Sequence, residues 1–322
     1  MHAQPSAASL SDLAAPAKLN LFLRVVGRRS DGYHLLQSLF VLLDWHDTLH
    51  LERRSDGRLR RHDLGLPLPA DDLCLRAARL LQQHSGCAWG ADISVNKVLP
   101  SGAGMGGGSS DAATVLLGLN RLWGLNWPRS RLLGLGLQLG ADVPFFIGGR
   151  NAIVEGIGER LTPVAVRPRR YAVVKPPAGV MTAAIFGDPG LTRDSEPAIL
   201  EGFLADGSVL DKLLDIDSGG GLSRALEGAS AVPATAFRPV NDLQAVAVRH
   251  APEIGQAVEW LEARLGNGQM TGSGSAVFAR ETAANAPLMA TAQGDFFKEL
   301  PAGWEARWCR SLSEHPLRAW AD

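Results

Sequence analysis

Residues 99–111 read Leu-Pro-Ser-Gly-Ala-Gly-Met-Gly-Gly-Gly-Ser-Ser-Asp, with five glycines in the seven positions from Gly102 to Gly108. A run of this kind lets successive backbone N–H groups point into one concavity, and a helix starting just beyond adds its positive end. The guest such a nest expects is an anionic phosphate. Pro100, Ser101, Gly102, Ala103, Gly104, Met105, Gly106, Gly107, Gly108, Ser109 and Ser110 are therefore candidate contacts of a nucleotide phosphate chain. The two serines can cap the helix and offer hydroxyls to a phosphate or to Mg²⁺. A flexible linker is the plain alternative, but linkers rarely lead from an apolar strand straight into an amphipathic helix.

Known phosphate-binding loops can be tested one by one. A Walker-type loop needs Lys-Ser/Thr after its last glycine, and Gly108 is followed by Ser109-Ser110. Gly102-Ala-Gly104-Met-Gly-Gly107 matches the dinucleotide spacing, yet no Asp or Glu occurs between Asp111 and Asp142, where the ribose-binding acid belongs. The protein-kinase set is missing too, with no His-Arg-Asp loop and no Asp-Phe-Gly.

Several elements must position this loop. Residues 17–26 alternate, with Leu19, Leu21, Leu23 and Val25 on one face and Lys18, Asn20 and Phe22 on the other, the pattern of a half-buried strand. Lys18 and Asn20, polar and opposite an apolar face, suggest a lined cleft. A turn at 27–32, which includes Asp31-Gly32, leads to apolar stretches at 35–43 and 48–51. A helix over 71–83, capped by Asp71 or Asp72, precedes a strand over 91–98 that carries Lys97, by default a solvated strand-end lysine. The helix after the loop repeats apolar residues at 112, 115, 116, 119, 122 and 123. Another runs over 129–139 with Gly140 as its stop, which puts Asp142 at a helix-to-strand corner where a turn-forming role is the default. Past Pro163 the texture changes: a strand at 171–174, a polar, Gly-rich stretch at 188–221, helices at 241–250 and 252–265, a glycine turn Thr271-Gly-Ser-Gly-Ser275 and a strand at 276–279. Residues 281–322 carry no motif and read as helix and strand completing a second domain. The small-residue opening up to Ala15 reads as a frayed terminus.

Residues 100–113 resemble the signature phosphate loop of the GHMP kinases, the galactose, homoserine, mevalonate and phosphomevalonate kinase superfamily, and Thr271–Ser275 resembles their C-terminal glycine motif. Pro16-Ala-Lys-Leu-Asn-Leu-Phe-Leu23, Asp31-Gly-Tyr-His34 and Leu139-Gly-Ala-Asp-Val-Pro144 are similar to the branch that phosphorylates the 2-hydroxyl of cytidine-diphospho methylerythritol, on the non-mevalonate route to isoprenoid precursors. The resemblance runs from about residue 14 to 280. It implies an α+β, two-domain GHMP kinase fold: a ribosomal-protein-S5-like ATP-binding domain at 1–162 and a ferredoxin-like domain at 163–322, with the acceptor in a cleft between them. ATP is then the co-substrate, any metal is Mg²⁺ arriving with it, and the metal ligands stay unassigned. By the same carry-over Asp142 positions or deprotonates the hydroxyl, and Lys18 is the adjacent cation that touches the transferring phosphate. Tyr33 stacks on the cytosine, His34 bonds its edge, Phe186 in Thr182-Ala-Ala-Ile-Phe186 closes the other face, and Asn20 and Thr182 complete the acceptor contacts. Lys97 can reach a phosphate or the adenine, while Asp72-Leu73 departs from the Asn-Leu common in the family. Two rivals stay open: another GHMP kinase acting on homoserine or a mevalonate derivative, and a binding protein of this fold without catalysis. The second predicts loss of Lys18 or Asp142, and both are present.

Composition is that of a globular protein. A chain of 322 residues with 46% hydrophobic residues can bury two cores, and a net charge of −1 gives no reason to expect bulk nucleic-acid or membrane binding. No window reaches the apolar length of a membrane span, the opening lacks a secretory pattern, and no obligate protein partner is implied. The three cysteines, Cys74, Cys87 and Cys309, lack disulfide or metal spacing, which suits the reducing cytoplasm. His46, His50, His62 and His84 lack metal-ligand spacing and read as surface or structural residues.

Overall fold

In the computed structural model, which describes residues 8–65, 67–197, 240–291 and 295–322, the chain opens on a long hairpin. Strand β1 (Ser9–Arg28) lies antiparallel to β2 (His34–Arg54), from Ser9 opposite Glu52 to Arg28 opposite His34. The turn is closed by Gly32 at φ +92° and by Asp31, whose carboxylate accepts the Tyr33 N–H at 3.2 Å. Residues 9–15 are thus strand and not a frayed end. Leu10 and Leu13 pair with Leu51 and Leu49, and Leu13 and Ala15 are buried against helices of the first half. The strand at 17–26 is buried on both faces, because bulges after Pro16 and Asn20 rotate the chain and the second domain covers what would otherwise be the solvent side.

Around β2 the first half builds a mixed sheet. β3 (Leu59–Asp63) runs parallel to β4 (Gly90–Asn96), β4 is antiparallel to β2, and β5 (Ala152–Gly156) pairs β2 and β6 (Arg160–Pro163). Helices α1 (Leu73–Ser85), α2 (Gly107–Leu122), α3 (Arg129–Leu139) and α4 (Val143–Gly148) belong to this half. α2 is its centre: Ala112, Ala113, Val115, Leu116, Leu117, Leu119 and Leu122 are buried on several sides, against the sheet and against α1.

In the second half β7 (Arg170–Lys175) lies between β9 (Val277–Arg280) and β10 (Glu305–Leu312), with the two-residue β8 (Gln269–Met270) at the edge. Helices α5 (Thr182–Gly187), α6 (Gln244–His250), α7 (Pro252–Leu265) and α8 (Ala286–Thr291) accompany it, and Ile254, Ala257 and Leu261 of α7 bury against Val174 and Val277. The end of β10 also pairs β2, Leu312 opposite Leu42, and joins the two sheets. The architecture is α+β in two halves. The last residues return to the first half, where Leu317 and Ala321 enter its core and Arg129 bonds Asp322 at 2.9 Å. Of the Gly-rich stretch read at 188–221, residues from 198 onward lie outside the described residues.

Candidate active site

The glycine loop is braced from two sides. Below it, β4 ends at Asn96 and the chain turns over the buried Asp47, whose Oδ1 accepts the N–H groups of Val98 at 2.6 Å and Leu99 at 2.7 Å. Lys97 Nζ donates to the other Asp47 oxygen and, at 2.6 Å, to Asp111 Oδ2. Lys97 is therefore neither on the strand nor solvated: it lies one residue past β4 with its side chain 7% exposed. Its ammonium would lie 3.1 Å from a Cβ on Gly107, and it lines the cleft beneath the start of α2. Burial pulls its pKa down, but Asp111 and Asp47 outweigh that and raise it above the ordinary value. One lysine cannot neutralise two carboxylates; burial, with Asp47 alongside, pushes Asp111 up to about 7 against the pull of Lys97.

From the other side the turn Thr271–Ser275 packs backbone to backbone on the loop. Ser275 N–H donates to Gly102 O at 3.2 Å and Ala276 N–H to Ala103 O at 3.1 Å. Gly104 and Gly272 face each other with φ +72° and +56°, and a Cβ on Gly272 would come within 2.6 Å of the Gly104 carbonyl oxygen. No larger residue fits either position.

α2 starts at Gly107, with Gly106 at φ +71° as its N-cap and no side-chain cap. The serines expected to cap it sit too far in. Ser110 N–H already donates to Gly106 O at 2.9 Å, and Ser110 is buried away from the cleft, which leaves Ser109 as the serine that lines it. The first-turn N–H groups have no side-chain competitor, the condition under which a helix start takes an anion.

Lys18 stands at the middle of β1, its N–H on Met105 O at 3.0 Å, so the strand is stitched to the loop. Its Nζ donates to Asn20 Oδ1 at 2.5 Å, lies 3.6 Å from Asp142 Oδ2 and sits 4.5 Å above the Phe40 ring. Burial lowers the Lys18 pKa, and Asp142 counters part of that. Asn20 is fixed by Ser38 Oγ at 2.9 Å and by Thr271 Oγ1, which accepts its N–H at 2.9 Å. Asp142 occupies a helix-to-helix corner between α3 and α4 and not a helix-to-strand one, because Pro144 opens a short helix whose Val143, Phe145, Phe146 and Ile147 are all buried. The Asp142 side chain makes no cap hydrogen bond there, and its carboxylate is turned to Lys18.

At the opposite end, Thr182 Oγ1 and Ser273 Oγ are 2.7 Å apart, and Phe186 lines the cleft across from Leu36. His34 stacks on Phe186 with ring centroids 4.9 Å apart, just outside the lining, and Tyr33 stands 61% exposed at the hairpin tip. The whole cleft encloses about 580 Å³. It brings together Lys18, Asn20, Lys97, 100–109, Asp142, Thr182 and Phe186; His34 meets it only through its stacking on Phe186, and Tyr33 and Ser110 are not among the residues that line it. Asp72 is spent as the cap of α1 and as a partner of Arg61 at 2.8 Å, while Leu68, Pro69 and Leu73 give that end an apolar wall. Among the described residues no group of three or more His, Cys, Asp or Glu side chains could hold a metal.

Sequence reasoning passed over Asp47, Asp111, Phe40 and Arg193. Asp47 carried a signal: Leu43, Trp45, Leu49 and Leu51 are buried at the same alternate phase of β2, so an acid at that phase had to find a partner inside. Arg193 carried none.

Residues 72–150 match the model of the GHMP kinases N terminal domain, and residues 228–291 that of the GHMP kinases C terminal domain. The chain is 54% identical over 313 residues to the 4-diphosphocytidyl-2-C-methyl-D-erythritol kinase of Methylibium petroleiphilum, spanning 97% of this chain and 98% of that one. It is 51% identical to the enzyme of the same name from Variovorax paradoxus, over 97% and 99% of the two chains. Among solved structures, a 4-(cytidine 5'-diphospho)-2C-methyl-D-erythritol kinase superposes with a TM-score of 0.69 at 34% identity over 93% of this chain and 98% of its own. The homoserine kinase of Cytophaga hutchinsonii reaches 0.65 at 17% identity over 98% of each chain, a likeness of fold.

Proposed function

Because the chain belongs to the GHMP kinases, in the family of the 4-diphosphocytidyl-2-C-methyl-D-erythritol kinases, we propose that it transfers the γ-phosphate of ATP to the 2-hydroxyl of 4-(cytidine 5'-diphospho)-2-C-methyl-D-erythritol. This is a step of the non-mevalonate (MEP) route to isoprenoid precursors. The observation that carries the mechanism is the Lys18–Asp142 pair, 3.6 Å apart in the same cleft as the uncapped start of α2. ATP lays its phosphates along Gly102–Ser109 and its base toward Leu68, Pro69 and Leu73. Asp142, with no backbone bond to satisfy, orients the acceptor hydroxyl and takes its proton as the phosphoryl group leaves ADP. Lys18, locked by Asn20 and Phe40, faces the transferring oxygens and offsets their charge without reorganising. Asp47 and Asp111 keep Lys97 charged under the loop. Phe186, His34 and Tyr33 surround the cytosine, with Tyr33 closing from the hairpin tip.

Mg²⁺ fits as a passenger of ATP. It takes oxygen ligands, usually one or two from the protein and the rest from phosphate and water, and Ser109, the hydroxyl that lines the cleft at the start of α2, is the group that would hold it. The ion would neutralise phosphate charge. The domain boundary belongs near residue 163, after β6, and the three free thiols suit the cytoplasm, where we place the reaction. No helix among the described residues is long and apolar enough to cross a membrane.

The test is ADP release with three acceptors at equal concentration: the cytidine-diphospho sugar alcohol, homoserine and mevalonate. Turnover confined to the first supports the reading. Turnover on homoserine or mevalonate alone would replace it with one of the rival kinase activities.

A further inference from the structure

Arg193, in the irregular segment after α5, spends its donors on the rim of the cleft. Its Nε donates to His34 Nε2 at 3.0 Å. One terminal nitrogen reaches the carbonyl oxygens of Phe186 at 3.0 Å and Asp188 at 2.8 Å, and the other that of Leu191 at 3.0 Å. A guanidinium has donors only and stays charged. The ring nitrogen that faces it must be the bare, accepting one, so the single proton of a neutral imidazole sits on Nδ1. Burial, then Arg193 and Arg28, lower the His34 pKa, which disfavours the form protonated on both nitrogens. The ring stacks on Phe186, whose side chain lines the cleft.

We infer that Arg193 is a positioning residue that sets base specificity: by occupying His34 Nε2 it locks the imidazole as the Nδ1–H tautomer, which admits cytosine beside Phe186 and rejects uracil. The inference rests on the cytidine-diphospho acceptor proposed above. Cytosine presents a bare N3 and uracil an N3–H. An unrestrained imidazole could serve either by moving its proton. With Nε2 held, uracil would set one N–H against another, a donor facing a donor where cytosine would offer an acceptor. The same clamp holds the Phe186 carbonyl, so one side chain fixes both the apolar wall and the polar edge of the base subsite.

The test compares the parent enzyme with Arg193→Lys and Arg193→Met on two acceptors that differ only in the base, the cytidine and uridine diphosphate esters of methylerythritol. Long-range ¹H–¹⁵N spectra of histidine-labelled enzyme, with His34 assigned from His34→Gln, read the tautomer independently of turnover. The parent should show Nδ1–H and prefer the cytidine ester. In Arg193→Met the ring should move to the Nε2–H form that imidazole favours in water. The cytidine-over-uridine ratio of kcat/KM should then fall about 10–100-fold, mainly through a gain on the uridine ester. Arg193→Lys keeps a donor and should keep both properties. An Nε2–H ring in the parent overturns the inference even if the Met variant does not fold, and so does a folded Met variant with unchanged tautomer and ratio. A parent that phosphorylates neither ester refutes the proposed acceptor and the specificity with it, a failure recognised by the missing parent activity.

Discussion

Replacing Asp142 by Asn keeps the shape of the corner but removes the charge beside Lys18 and, with it, the carboxylate proposed to take the hydroxyl proton. At 3.6 Å and an effective dielectric constant of about 20, the Lys18–Asp142 attraction is roughly 4–5 kcal/mol before desolvation is subtracted. Loss of a general base costs about 10²–10⁴-fold in rate, which is roughly 3–5 kcal/mol. The two figures are of the same order, so the size of the defect alone does not separate proton transfer from charge, but its pH dependence does. Lys18 is buried, and burial already lowers its pKa; Asp142 is what pushes it back. In Asp142→Asn that support is gone, the ammonium deprotonates at lower pH, and the alkaline limb of the kcat profile moves toward neutrality. The assay is coupled ADP release from about pH 6 to 10, with KM followed for both substrates and circular dichroism to establish folding. We expect kcat to fall about 10²–10⁴-fold, little change in either KM, and a shifted alkaline limb. A folded variant within about threefold of parent turnover would reduce Asp142 to a turn residue and refute the mechanism. A large loss with an unmoved limb would sever it from Lys18.

Tyr33→Ala should leave stability unchanged, since the ring is 61% exposed in the free protein, yet raise KM for the cytidine ester by roughly 5–150-fold, the equivalent of 1–3 kcal/mol of stacking, with KM for ATP spared; equal KM values would remove Tyr33 from the site. Gly104→Ala forces a side chain to φ +72°, about 1–2 kcal/mol by itself, and drives its Cβ into the Thr271 carbonyl, so urea unfolding should show a larger loss and calorimetry weaker ATP binding, and parent-like behaviour in both would contradict the loop-on-loop contact. Asp111 is raised from 3.8 to about 7, so between those values the native state keeps a proton that the unfolded chain has released, and stability falls as pH rises, by an amount on the order of a few kcal/mol. Asp111→Asn should flatten that fall in Tm. His315, pushed down to about 4 by burial, acts with the opposite sign below about pH 6.5 but is common to both proteins, and parallel Tm curves would show that Asp111 carries no such proton.

The helices at 129–139 and 252–265 were legible to the residue because each begins at or beside a proline and ends at glycine, signals local to the chain. The glycine loop leading into a helix was legible for the same reason. What could not be read was set by contacts distant in sequence. Residues 9–15 look frayed until the far end of β2 supplies Leu49 and Leu51, more than thirty residues on. The face carrying Lys18 and Asn20 reads as open until Thr271, some 250 residues away, reaches Asn20. Ser110 looked like a cap because the helix start was placed after the glycines; Gly107 begins it instead, since Gly106 can take the left-handed conformation an N-cap rarely needs. Arg193 touches His34 across 159 positions with no pattern around it, so only the folded chain reveals the pair.

The central claim is that this cleft moves one phosphoryl group from ATP to the 2-hydroxyl of the cytidine ester, and ³¹P NMR of the reaction mixture tests it most directly, with ¹³C label at carbon 2 of the methylerythritol. A new phosphomonoester resonance coupled to that carbon, rising in step with ADP and retaining the diphosphate of the cytidine ester, is the predicted result. ADP formed with inorganic phosphate alone, or a phosphomonoester on another carbon, would contradict it.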